Sequence, residues 1–257
     1  ETETKVFQQN QLTVKIYPTV QQMGKAAAQE VADRICNLLE GKAEINMIFA
    51  AAPSQEEFLH HLISDQRISW NRINAFHMDE YIGVLPDAPQ SFGNFLRIRI
   101  FDKVPFKNVY YLNGHATDLE EECTRYTSLL SQFPTDIVCL GIGENGHIAF
   151  NDPDVANFND HKLVKIVKLD HVCRQQQVNE KCFETLEQVP TEALTLTIPA
   201  LLKAKWMFCI VPFKNKSQAV YRTIHGDISE KCPASILRKK ENSCLYLDPE
   251  SAERINL

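Results

Sequence analysis

From Val20 the apolar residues Met23, Ala27, Val31, Ile35 and Leu38 recur every three or four positions, which places them on one face of a helix. Thr19 stands where an N-cap hydroxyl accepts a first-turn amide, and Gly41 where such a helix stops. The pattern then changes. Ile45 to Ala50 is a short apolar run, too short for a helix and suited to a strand buried on both faces. Ser54, with Glu57 three residues on, predicts a capping box opening a second helix. Ile73 to Met78 reads as a strand, and Ser91 opens a helix carrying Phe92, Phe95, Leu96 and Ile100. Asp118 caps another with Leu119, Cys123, Tyr126, Leu130 and Phe133 inward. Asp136 to Leu140, Ala193 to Ile198 and Met207 to Val211 are further strands, and a helix is expected from about Lys214 to His225, ending at Gly226. Strands alternating with helices predict an α/β fold, an open, mostly parallel sheet with helices on both faces. No linker, composition shift or internal repeat divides the chain, so residues 1–257 are expected to form a single domain.

Composition narrows the class. A chain of 257 residues buries roughly three quarters of its unfolded surface and needs no disulfide or metal staple. None of the eight cysteines forms a C-x-x-C pair, which argues against zinc-ribbon and thioredoxin readings. Cys139 and Cys209 sit inside apolar runs, where the thiol serves as a small hydrophobe, and such free thiols suit a reducing cytoplasm. The balance of 27 basic against 33 acidic residues, net −6, disfavours nucleic-acid and polybasic membrane roles. No run approaches the ~18 apolar residues of a membrane helix, and the polar stretch Glu1 to Asn10 does not resemble a signal peptide.

In an open parallel sheet, ligands bind beyond the carboxyl ends of the strands. That rule selects Ala51-Ala52-Pro53-Ser54, Met78-Asp79-Glu80-Tyr81, the stretch from Gly141 to Asp152, and Pro212 to Lys216. Asp79 and Glu80 are adjacent just past a strand. One carboxylate can face the crevice as a base while its neighbour supports the loop, and a carboxylate so held can shuttle a proton between adjacent carbons of an opened sugar. Gly141-Ile142-Gly143-Glu144-Asn145-Gly146-His147 is not a dinucleotide fingerprint, because the acidic ribose contact about 20 residues on is missing. Its glycines instead let the backbone turn sharply and approach a ligand. His147, with Asn151 and Asp152 nearby, is set between that turn and a carboxylate able to orient it, the arrangement of an acid/base histidine.

These residues, in this order, resemble the glucosamine-6-phosphate deaminase (isomerase) family. The likeness is carried by Phe76-His77-Met78-Asp79-Glu80-Tyr81-Ile82-Gly83, by Gln90-Ser91-Phe92 and Leu112-Asn113-Gly114, and by the run from Gly141 to Pro153, with weaker similarity over most of the chain. It implies a Rossmann-like fold and conversion of an amino-sugar phosphate to a ketose phosphate plus ammonia, with no cofactor or metal. By resemblance, Asp79 matches the base that moves a proton between C2 and C1, and His147 the acid/base that opens the pyranose ring. Asp152 stands where the family usually has a glutamate orienting that histidine, and Asn145 where it usually has an aspartate. An amide holds a histidine by hydrogen bonds but does not stabilise an imidazolium by charge, so ring opening is expected to be slower here or matched to another sugar. For the substrate and its phosphate, the candidates are the loop at Ala52 and Ser54, Glu80 beside the base, Lys216, which matches a family phosphate-binding lysine, and Arg174 or Lys181 in place of the family arginine. Glu56 would repel an anion at that loop, and Ser54 with Glu57 could satisfy its amides. The Ser/Arg-rich allosteric segment of regulated members has no counterpart after Pro153. Two alternatives remain open: a lactonase of the 6-phosphogluconolactonase type, related by fold, and a non-catalytic sugar-phosphate sensor. A homo-oligomer is compatible with the sequence.

Overall fold

The computed structural model describes residues 3–255. The chain begins with a hairpin, β1 (Lys5–Gln9) and β2 (Leu12–Ile16), and enters α1 (Val20–Gly41), capped by Thr19 as its sequence predicts. Then come β3 (Ile45–Phe49), α2 (Glu56–Ile63), β4 (Ile73–His77), β5 (Asp79–Tyr81) and α3 (Phe92–Leu96). They are followed by β6 (Asn108–Tyr110), α4 (Leu119–Gln132), β7 (Ile137–Leu140), β8 (Val164–Lys168), α5 (His171–Asn179) and β9 (Glu192–Leu196). The last elements are α6 (Ile198–Leu202), β10 (Trp206–Val211), α7 (Ser217–His225) and β11 (Ser243–Leu247).

Eight strands form one sheet in the order β1-β2-β11-β10-β7-β3-β4-β6. All its pairings are parallel except that of β1 with β2. Successive strand residues point to opposite faces, and each face holds its own core. Ile48, Phe76, Val138, Leu140 and Cys209 pack against α4, α6 and α7 on one side. Met47, Phe49, Ile137, Cys139 and Ile210 pack against α1, α2 and α3 on the other. The expected fold class is the observed one. From β3 the chain builds outward to β4 and β6, and from β7 it builds the other way to β10 and β11. The reversal between β3 and β7 opens a crevice at their carboxyl ends, where such sheets take ligands.

Two expectations are corrected. The strand expected at Ala193 to Ile198 is β9, and it lies outside the parallel sheet, in an antiparallel trio ordered β5-β9-β8. Ser54 does not cap α2. It lies within a 3-10 turn over Pro53–Gln55, its hydroxyl accepts from the Gln55 side chain, and α2 begins at Glu56 without a side-chain cap. No helix among the described residues is long and apolar enough to cross a membrane, and all eight cysteines are free thiols.

Candidate active site

Four chain segments meet at the crevice: the loop after β3, β5, the loop after β7, and the turn after β10. Together with α5 they enclose a cavity of about 50 Å3 lined by Ala52, Ser54, Asp79, His147, Gln177 and Lys216, among others. Aromatic packing walls it: the rings of Phe92 and Phe150 stack at 5.2 Å, and Tyr81 lies 4.8 Å from Phe92.

Asp79 opens β5 one residue after β4 ends, and pairs with Thr195 of β9. Burial, and then the charge of neighbouring Glu80, push its carboxyl well above the usual range. Its backbone carbonyl faces Nδ1 of the buried His77 at 3.0 Å, and His77 Nε2 accepts from the Leu112 N–H at 3.0 Å. With Nε2 accepting, the proton sits on Nδ1. Burial lowers this ring to about 4, so a neutral histidine pins Asp79 to the sheet.

Glu80 points the opposite way, as the strand alternation requires. Its carboxylate accepts from the Gly93 N–H (2.7 Å), the Phe92 N–H (3.1 Å) and the Ser91 hydroxyl (3.3 Å), clamping the start of α3. Burial raises it to about 7 against those three donors. It does not line the cavity, so its expected place in the substrate site is corrected to a supporting one.

The loop after β7 is held to the antiparallel trio. The Phe150 N–H donates to the Thr195 hydroxyl (3.0 Å), and the Asn151 amide donates to the carbonyls of Leu196 and Ile148 (both 2.9 Å). Gly146 turns the chain at φ +84°. Gly143 serves by close approach, because a Cβ there would lie 1.8 Å from His147 Cε1. The imidazole occupies the space a side chain would fill. His147 Nδ1 lies 2.6 Å from Asn145 Oδ1, which also accepts the His147 backbone N–H at 3.0 Å. An amide oxygen only accepts, so the proton is on Nδ1 and Nε2 keeps its lone pair for a ligand. Burial and the Lys216 cation lower the ring to about 3.

Behind the histidine, the Asn145 amide donates to Asp152 Oδ1 at 3.1 Å and to Asp170 Oδ2 at 2.7 Å. Asp152 is fully buried and raised to about 7 by desolvation. Sequence reasoning did not single out Asp170; its only signal was an N-cap residue before a polar stretch. His147, Asp152 and the Cys173 thiol offer donor atoms within 4.8 Å of one another, but the histidine and carboxylate atoms are already committed to these hydrogen bonds.

Lys216 is buried against Glu180 Oε1 at 3.1 Å. Glu180 was not among the expected residues. Gln176 and Gln177 of α5 line the cavity, whereas Glu180, the residue that ends the helix, does not. Arg174 and Lys181, the two candidates for an anion-binding cation, do not line the cavity. The Arg174 guanidinium donates to the carbonyls of Leu186 (2.8 Å) and Val189 (3.1 Å). Lys181 follows the helix end at φ 62° and lines a separate surface groove with Gln90.

Fold and site together define an α/β enzyme in which a carboxylate and a neutral histidine face one crevice at the carboxyl edge of a parallel sheet. Residues 18–246 match the family model for glucosamine-6-phosphate isomerases/6-phosphogluconolactonase. The chain belongs to that family. Among its curated relatives, a glucosamine-6-phosphate deaminase from Bacillus cereus (strain B4264) is 39% identical over 185 residues, covering 72% of this chain and 69% of the relative. One from Listeria innocua is 35% identical over 209 residues, covering 81% and 87%. Among solved structures, a monomeric glucosamine-6-phosphate deaminase aligns with TM-score 0.84 at 31% identity over 93% of this chain and 98% of its own. The Thermotoga maritima 6-phosphogluconolactonase aligns with TM-score 0.74 at 20% identity, over 92% and 99%, and shares the fold.

Proposed function

We propose that the protein converts a phosphorylated amino sugar of the glucosamine 6-phosphate type into the ketose phosphate and ammonia. The observation that carries this reading is the meeting of Asp79, His147 and the buried Lys216 on the wall of one cavity. His147 Nε2 takes the proton of the anomeric hydroxyl and returns it to the ring oxygen, opening the pyranose to the aldehyde. Asp79, raised by burial into the range of a stronger base, takes the C2 proton and delivers it to C1. That transfer, with a second proton passing from the amine to O1, turns the 2-amino aldehyde into a 2-imino sugar, and water cleaves the C=N bond to leave a ketone and ammonia. The Lys216 cation receives the phosphate. Free thiols support a reducing cytoplasm as the site of action.

The test is incubation with glucosamine 6-phosphate, galactosamine 6-phosphate and 6-phosphogluconolactone, following ammonium release and lactone hydrolysis. Ammonium from an amino-sugar phosphate is the expected result. Lactone hydrolysis without ammonium, or no turnover of any of the three, overturns the reading.

A further inference from the structure

We propose that Asp170 is a positioning residue for His147, and that position 145 carries an amide because position 170 carries a carboxylate. Every hydrogen-bonding valence of Asn145 is assigned. Its oxygen accepts from the His147 N–H and Nδ1 (3.0 and 2.6 Å), and its nitrogen donates to Asp152 Oδ1 and Asp170 Oδ2 (3.1 and 2.7 Å). Asp170 is equally committed. Its Oδ1 accepts the Cys173 N–H at 2.7 Å and so caps α5, while its own N–H donates to Asp152 Oδ2 at 3.0 Å. Both oxygens of Asp152 are thus held by this pair. The pair in turn ties the acid/base histidine to the helix that carries Gln177 to the cavity.

The polarity of these bonds makes the two residues interdependent. An aspartate at position 145 would aim a third carboxylate at Asp152 and Asp170 from hydrogen-bond distance, where like charges repel. An asparagine at position 170 would have one oxygen for two donors, the Cys173 N–H and the Asn145 amide, and one of them would be left unsatisfied. Exchanging both restores a donor against every acceptor. The amide then at position 170 caps α5 through its oxygen and donates to the carboxylate then at position 145. Asp152, already raised to about 7, supplies a proton to the remaining contact. The amide therefore follows from its neighbour, whatever sugar the site takes.

The inference rests on His147 as the acid/base, so its experiment has a readout that needs no turnover. Four variants are compared with the parent chain: Asn145→Asp, Asp170→Asn, the double exchange, and Asp170→Ser. Serine keeps a helix cap but falls short of Asn145. Measured are kcat for ammonium release, melting temperature, and the exchange of the His147 Nδ1 proton by 15N NMR. Each single exchange should lower kcat by roughly tenfold or more and speed proton exchange, and the double should recover to within about threefold, the signature of coupled neighbours. Asp170→Ser should lose kcat and proton protection at a melting temperature no lower than that of Asp170→Asn, because each leaves one donor unsatisfied. A double variant no better than the poorer single, or Asp170→Ser with parental kcat and proton exchange, would overturn the inference. If the parent chain releases no ammonium, the proposed function fails, and proton exchange alone still decides the coupling.

Discussion

His147 owes its character to what surrounds a ring seated against Gly143: an acceptor at Nδ1, burial, and a cation. Burial and Lys216 both disfavour the imidazolium, so the ring should stay neutral, protonated on Nδ1, well below the ordinary histidine range. A 15N titration from pH 8 to pH 5 should show no protonation of Nε2; a midpoint near 6.5 would contradict the arrangement. The sign for stability follows. Between about 6.5 and about 3 the unfolded chain binds a proton that the folded ring refuses, so this group's contribution to stability is lost as pH falls through that window. Asp152 and Glu80, raised to about 7, act in the opposite sense, with stability lost as pH rises toward that value. The ring titration is therefore a cleaner test than a melting curve. For Asp79 the shift is upward, so kcat/KM should rise with pH through a value above the usual carboxylate range. Asp79→Asn should lower kcat by ~100-fold or more with little change in KM, the loss expected of a general base. Near-parental turnover in a folded Asp79→Asn variant would remove Asp79 from its role.

At the scale of the element, α5 brings Gln176 and Gln177 to the cavity wall. The cavity of about 50 Å3 is well below the roughly 300–1,000 Å3 of ordinary ligand pockets. Glu180 at the end of α5 pairs with Lys216, and in the proposed role of Lys216 an incoming phosphate would compete with that carboxylate for the same cation. Glu180→Gln should lower KM for a phosphorylated sugar by about tenfold, the equivalent of roughly 1.4 kcal/mol. KM for the unphosphorylated amino sugar should not change. It should also lower the melting temperature, because a buried ammonium loses its counter-charge. An unchanged or raised KM would mean that Glu180 does not compete with the ligand.

Over the whole molecule, one sheet divides two cores, and the site lies at its edge rather than within either. Ile48 of β3 is fully buried in one core. Ile48→Ala should destabilise the fold by about 2–5 kcal/mol through lost burial and a residual cavity, while leaving kcat near the parental value at temperatures where the variant stays folded. Denaturant titration and assay of the same preparation check both statements. A large kcat loss without loss of stability would show that strand packing reaches the chemistry directly.

Periodicity alone determined α1, β3 and β7, since helical and strand spacing are properties of a few neighbouring residues. The same holds for the glycine turn that seats His147 and for the placement of Asp79 just past β4. What only the tertiary structure decided depends on residues far apart in sequence. Adjacent Asp79 and Glu80 read as equivalent acids until the pairing of β5 with β9 and the start of α3 gave them opposite directions. Arg174, Lys181 and Lys216 all read from sequence as candidate cations, yet only Lys216 lines the cavity, where it pairs with Glu180. β8, with Lys165 and Lys168 in its five residues, lacks the apolar run of β3, and its pairing with β9, not its composition, makes it a strand. Asn145 read alone suggested a weakened relay; Asp170 lies 25 residues away in the chain and 2.7 Å away in space. Local pattern encodes which way a side chain points along its own element, whereas the charge or donor it meets is set by packing between elements.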